Sequence, residues 1–198
     1  MKKSIYKLLS VMKLKRLQYP SGLFAASSKT VSTGYNKAWL RDNIYEALGF
    51  ENIKDIKTTR KTYTALFDTL LKHEYKIDHA IKEKPDARFK YIHARFCPET
   101  FNEFHEEWGN KQNDAVGAFL FKVGDLYKKG YMVIRDQNDL RIVQKLVNYL
   151  GSIEYWHDED NGVWEENEEV HSSSVGACVA GLKAVKNLVD VPEWLIQN

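Results

Sequence analysis

The spacing of apolar residues constrains this chain more than any other feature. Leu66, Phe67, Leu70, Leu71 and Tyr75 fall on one helical face within a stretch running from about Asp55 to Ile81. Val116, Phe119, Leu120, Val123 and Tyr127 repeat the pattern after Asn113, and Gly130 supplies a stop. Leu140, Val143, Leu146, Val147 and Leu150 mark a third stretch closed by Gly151. Val175, Val179, Leu182, Val185 and Val189 mark a fourth, ended by Val191-Pro192. A period near 3.6 residues places each set on one side of a helix, where it must be buried. With an N-terminal helix and one opening at Trp39-Leu40-Arg41-Asp42, the expectation is an all-α protein of about six helices with no convincing strand. Only 4 prolines in 198 residues interrupt it.

The connections are unequal. Residues 82 to 112 and 152 to 171 are long, polar and aromatic, whereas the link from Lys128 to Asp136 is short. Loops beyond about 12 to 15 residues in a compact domain are usually functional. Antiparallel neighbours point alternate helices the same way, so the second, fourth and sixth begin at one end of the assembly. Each of those starts carries a tryptophan with polar company: Trp39-Leu40-Arg41-Asp42, Trp108-Gly109-Asn110-Lys111-Gln112-Asn113-Asp114, and Trp164-Glu165-Glu166 before a helix near Ser172. Polar groups converging in an aromatic-walled concavity describe a ligand site.

The three clusters carry different chemistry. Trp164-Glu165-Glu166 sets an aromatic ring beside adjacent carboxylates, an arrangement that hinders ionisation and keeps an acid able to donate a proton. Arg41 and Asp42 can grip vicinal hydroxyls by charge-assisted hydrogen bonds. They equally suit ordinary helix-start chemistry. Asn113 or Asp114 would cap the fourth helix, and His171-Ser172-Ser173-Ser174 the last. The last helix carries Gly176, Ala177, Cys178, Ala180, Gly181 and Ala184, small residues that suit the inner layer of a double ring of helices.

Other classes fit poorly. With 29 Lys and Arg against 27 Asp and Glu, the net charge of +2 offers no basic stripe for nucleic acid. No apolar stretch is long enough to span a bilayer. Cys97 and Cys178 stand in no metal-ligand spacing, which points to a reduced, cytoplasmic chain. In the acidic run Asp158 to Glu169, Gly162 falls fifth rather than sixth, so a calcium loop is out of register. Neither a phosphate-binding loop nor a dinucleotide fingerprint occurs. No metal and no cofactor are expected.

Taken in order, the motifs resemble glycoside hydrolase family 15, the glucoamylase-like enzymes, and more closely the glucoamylase-like domain of phosphorylase kinase alpha and beta subunits. The matching pieces are Gly22-Leu23-Phe24-Ala25-Ala26-Ser27, Ala38-Trp39-Leu40-Arg41-Asp42-Asn43-Ile44-Tyr45 and His93-Ala94-Arg95-Phe96. They continue with the run from Trp108 to Ala115, Asp160-Asn161-Gly162-Val163-Trp164-Glu165, and Ser173-Ser174-Val175-Gly176. The resemblance implies an (α/α)6 toroid that hydrolyses terminal α-glucosidic bonds of an oligosaccharide or glucan with inversion. By position, Glu165 matches the general acid and Glu166 a neighbouring substrate-binding carboxylate. Arg41 and Asp42 match groups holding the terminal glucose hydroxyls, and Trp39, Trp108 and Trp164 match the aromatic lining.

The same resemblance implies twelve helices, of which residues 1–198 supply about six. They form a single incomplete domain, the N-terminal half, whose C-terminal half would carry the catalytic base. Asp160, Glu168 and Glu169 share a loop with the acid and offer no replacement. The expectation is therefore a fragment that is inactive alone and finds a separate C-terminal half or a homo-oligomer. The alternative is a non-catalytic carbohydrate-binding or regulatory module. A helical scaffold whose aromatic loops merely pack is a third reading.

Overall fold

The computed structural model describes residues 2–28, 30–106, 108–165 and 167–197. Among them are eight α-helices: α1 (Lys2–Leu17), α2 (Leu40–Asn52), α3 (Ile56–Lys72), α4 (Glu74–Lys82), α5 (Asn113–Lys128), α6 (Gln137–Ile153), α7 (Ser172–Val185) and α8 (Trp194–Gln197). The all-α reading holds, with two differences from the expected six. The stretch from Asp55 to Ile81 is broken at His73, whose Nε2 donates to the Phe101 carbonyl at 2.7 Å. A distant loop thus holds the kink, and no sequence-local breaker marks it. The short α8 lies beyond the proline and covers part of the core through Leu195.

Two strands of two residues each, β1 (Ala38–Trp39) and β2 (Arg95–Phe96), pair antiparallel with Trp39 opposite Arg95. Strands this short show no alternation, so only the pairing reveals them. Helix ends also depart from the expected residues. Gly151 lies inside α6, which stops instead at Glu154 in a left-handed conformation (φ 56°). The last long helix ends at Val185, four residues short of Val189, in a turn closed by Leu188 N–H on the Val185 carbonyl.

α2, α5 and α7 lie side by side, with α3, α4 and α6 packed behind them. A single core joins them, with Phe119 of α5 meeting Phe67 (5.2 Å) and Tyr63 (6.3 Å) of α3. The closest approach is between α5 and α7. A Cβ on Gly117 would stand 2.4 Å from the Ala177 carbonyl carbon, and one on Gly181 2.4 Å from the Gly117 carbonyl oxygen. The small residues of α7 are thus spent on α5, whereas Gly176 faces open space.

Candidate functional site

α2 begins where β1 ends, so the pairing of Trp39 with Arg95 sets where the helix points its first turn. Asn43, fully buried one turn in, takes the Phe24 N–H on Oδ1 and donates Nδ2 to the Trp39 and Phe24 carbonyls. This ties residues 22–25 to the helix and leaves Arg41 facing the neighbouring α5. Arg41 Nη1 donates to both oxygens of Asp114 (3.1 and 2.9 Å), and Nη2 donates to the Val163 carbonyl (3.0 Å). Arg41 and Asp114 are both buried, so this is a desolvated pair.

The loop before α7 is fastened to the start of α5. Asp160 Oδ2 accepts the Asn113 N–H (2.8 Å), and its Oδ1 accepts from Ser174 Oγ (3.0 Å). Neither Gln112 nor His171 caps its own helix with a side chain. At α5 the expected local cap is replaced by one buried carboxylate from the intervening loop, which also ties down the first turn of α7 through the Ser174 hydroxyl. Burial, first, pushes the Asp160 carboxyl above its usual range, against the hydrogen bonds from Ser174 and Asn113. Asp158 adds Tyr91, Lys111 and Asn113 as donors, and Asn161 exchanges backbone and side-chain bonds with Lys111.

That fastening delivers Glu165. Its backbone is left-handed (φ 58°), unusual for a residue with a side chain. Trp108 Nε1 donates to Glu165 Oε2, and Gln112 Nε2 donates to Oε1 at 2.8 Å. Arg41 Nη2 lies 3.7 Å from Oε1. Gly109 admits this approach, since a Cβ there would meet the Glu165 carbonyl oxygen at 3.1 Å. Trp39 and Trp108 meet edge to face at 6.2 Å, with Tyr35 stacked on Trp39 at 5.5 Å. Beneath them the Arg95 guanidinium, only 1% exposed, lies 4.6 Å from the Trp108 ring centre. Trp39 Nε1, Arg95 Nε and Gln112 Oε1 are buried without hydrogen-bond partners.

Of the residues singled out in the sequence, Trp39, Arg41, Trp108 and Glu165 therefore come together. Asp42 sits beside them, its carboxyl pushed up by burial, drawn down by Arg41 and pushed up again by Glu165. Trp164 is 81% exposed and does not wall the carboxylate as its sequence neighbourhood suggests. The left-handed turn sends the Glu165 side chain inward while the preceding ring stays outside. Glu166 lies outside the described residues. Arg95, Gln112 and Tyr35 were not singled out, and Asp114 was expected only as a helix cap. Arg95, Gln112 and Asp114 stand in or beside quoted motifs, but nothing local marks Tyr35.

Glu46, one turn after Asp42 on α2, is a further surprise. Burial and then the Asp42 charge push its carboxyl up to about 8, and Oε2 has no partner. Because the folded value exceeds the ordinary 4.5, the contribution of this group to stability is complete below that value. It is lost as pH rises from there through about 8. Glu46→Gln should therefore stabilise the fold by about 2–3 kcal/mol near pH 9, after allowance for solvent screening, and change little near pH 4. Urea denaturation of both proteins across this range checks it; parallel pH profiles would refute it.

Among the described residues, no helix is long and apolar enough to cross a membrane. No group of three or more His, Cys, Asp or Glu side chains among them could hold a metal ion.

With this geometry in view, the comparisons are specific. The model of the family "Glycosyl hydrolases family 15" matches residues 2–193. A probable phosphorylase b kinase regulatory subunit alpha of Caenorhabditis elegans is 24% identical over 181 residues, covering 78% of this chain and 14% of that protein. The liver isoform of the same subunit from Oryctolagus cuniculus is 26% identical over 194 residues, covering 85% and 15%. A wild-type glycosidase superposes with a TM-score of 0.76 at 22% identity, over 97% of this chain and 50% of that one. A variant glycosidase solved in complex with glucose gives the same values. A glucoamylase from Saccharomycopsis fibuligera gives 0.60 at 19%, over 90% and 41%. The fold is that of half an (α/α)6 toroid. The chain spans about half the length of those glycosidases and about one seventh of the kinase subunits.

Proposed function

The chain belongs to glycosyl hydrolases family 15, and from that premise we propose that the corner formed by Trp39, Arg41, Asp42, Trp108 and Glu165 holds the terminal sugar of a glucan. The observation that carries this reading is the convergence of Arg41, Trp108 and Gln112 on the Glu165 carboxylate from two other segments. Arg41 and Asp42 supply the donor and acceptor that sugar hydroxyls need. The indole edges of Trp39 and Trp108 supply the apolar wall for the ring, and the unpartnered Trp39 Nε1 a further donor. Trp164 belongs to the rim of the same site in this reading.

Glu165 acts as general acid. When it carries the proton, one oxygen keeps its Trp108 or Gln112 donor and the other turns its O–H to the glycosidic oxygen. The C–O bond breaks as that proton transfers. A water activated by a second carboxylate attacks the anomeric carbon from the opposite face, which inverts its configuration. That base must stand roughly 6.5–9.5 Å away. Asp160 is buried and committed to Ser174 and Asn113, and Glu168 pairs with Arg88. The base is therefore assigned outside residues 1–198, to a C-terminal half completing the ring. These residues alone form a single incomplete domain that binds without turnover. A cytoplasmic setting, with both cysteines free, belongs to the same reading.

A second reading is favoured by the kinase regulatory subunits among the relatives. In it the chain is a carbohydrate-binding or regulatory module with no hydrolysis in any context. Both readings require sugar binding. Titration with maltotriose should give saturable binding that Trp108→Ala weakens by about tenfold. Trp108→Phe, which keeps the ring and loses the N–H to Glu165, should give an intermediate loss. Absence of binding by the unsubstituted chain would overturn both readings.

A further inference from the structure

A cleft of about 690 Å³ opens beside Trp108, between α4 and the segments 83–93 and 103–110. Its volume falls within the range of small-molecule sites, about 300–1,000 Å³. The lining includes two rings that face water, Phe89 (72% exposed) and Tyr75 (57%). Three polar atoms on its lining residues are buried without a hydrogen-bond partner: His93 Nε2, Glu103 Oε1 and Asn110 Oδ1. Glu103 Oε1 lies 3.9 Å from His73 Nδ1, and each of the three gives up hydration for at most a weak contact.

The chemistry of these atoms is defined. His93 is 5% exposed, and its Nδ1 accepts the Arg95 N–H at 3.0 Å, so the ring hydrogen sits on Nε2. Burial, then Lys76 and Arg95, bring its value down to about 3, leaving it neutral. The Phe104 carbonyl acts on the ring without forming a hydrogen bond of full geometry with it. Lys76 is taken up by Glu103 Oε2 at 2.7 Å. The walls thus offer one neutral donor and two acceptors without an unpaired charge at the His93 end. That combination suits hydroxyl groups, each of which both donates and accepts, better than a phosphate. The exposed rings suit the apolar face of a sugar.

We propose that this cleft is a second saccharide site, separate from the Glu165 corner and sharing only Trp108 with it. It would take a neutral glucan oligosaccharide, with the sugar face on Phe89 or Tyr75 and hydroxyls on His93, Glu103 and Asn110. The ligand class rests on the sugar-binding reading above, but the variants below leave the shared Trp108 in place, so the two can fail separately.

The test is a titration of the 198-residue chain with maltotetraose, followed by calorimetry and by the His93 Nε2–H resonance. Two classes of site are expected, and the resonance should shift on filling one of them. Phe89→Ala, at an exposed position that the fold does not need, should weaken that class by about tenfold and abolish the shift. Asp42→Ala should weaken only the other class. Tyr75→Ala is the second variant for the cleft. A single class lost in Asp42→Ala and untouched by Phe89→Ala or Tyr75→Ala would overturn the cleft and spare the corner. A single class lost in Phe89→Ala alone would do the reverse. Tighter binding of glucose 6-phosphate than of maltotetraose at the cleft would overturn the neutral ligand.

Discussion

Replacing Arg41 by alanine is expected to cost about 3–5 kcal/mol of folding stability and to remove maltotriose binding. Arg41 and Asp114 are 7% and 6% exposed, and the guanidinium serves both carboxylate oxygens as well as the Val163 carbonyl. Deleting the cation leaves a buried carboxylate with no counter-charge, which costs far more than the intact pair contributes. Asp114 lies in the first turn of α5, where the helix dipole offsets part of that cost, so the lower end of the range is expected. The double variant Arg41→Met, Asp114→Leu separates structure from function. It removes both charges and should recover most of the stability, while binding stays lost because the charged donor to the sugar is gone. Urea denaturation with a parallel maltotriose titration measures both. A loss below about 1 kcal/mol in Arg41→Ala would mean that the pair behaves as a solvated one.

Glu165→Gln should lower hydrolysis of maltooligosaccharides by about 10²–10⁴-fold when the remaining helices of the ring are supplied, with binding changed only a few-fold. Glutamine is isosteric and its Oε1 can still accept from Trp108 or Gln112, so the corner keeps its shape. Only the transferable proton is lost. Equal rates of glucose release by the two proteins would remove Glu165 as the acid. No release by either, with binding intact in both, would favour the regulatory reading. The 198-residue chain alone should release no glucose in either form.

The helices were legible because burial of one face imposes a spacing that neighbours in sequence must obey. The same logic placed Trp39, Trp108 and Glu165 at one end, since alternate helices run the same way and long loops precede those three. What happens within a loop follows no such rule. Trp164 and Glu165 are adjacent, yet one is 81% exposed and the other is held by three partners. That division depends on one backbone angle at a residue whose type gives no sign of it. Arg95 was visible only as part of a motif; its position under two tryptophans required the pairing of two very short strands.

By itself the amino-acid order determined the helical class, the main amphipathic helices and the end at which the aromatic turns collect, because those follow from periodicity and chain direction. The tertiary structure alone decided that Asp160 caps α5 and ties down α7 through Ser174, that His73 breaks a helix for a distant carbonyl, and that Glu46 holds its proton. Each of these is set by atoms tens of residues apart, or by water excluded when separate elements close over a charge, and neither is written in local spacing.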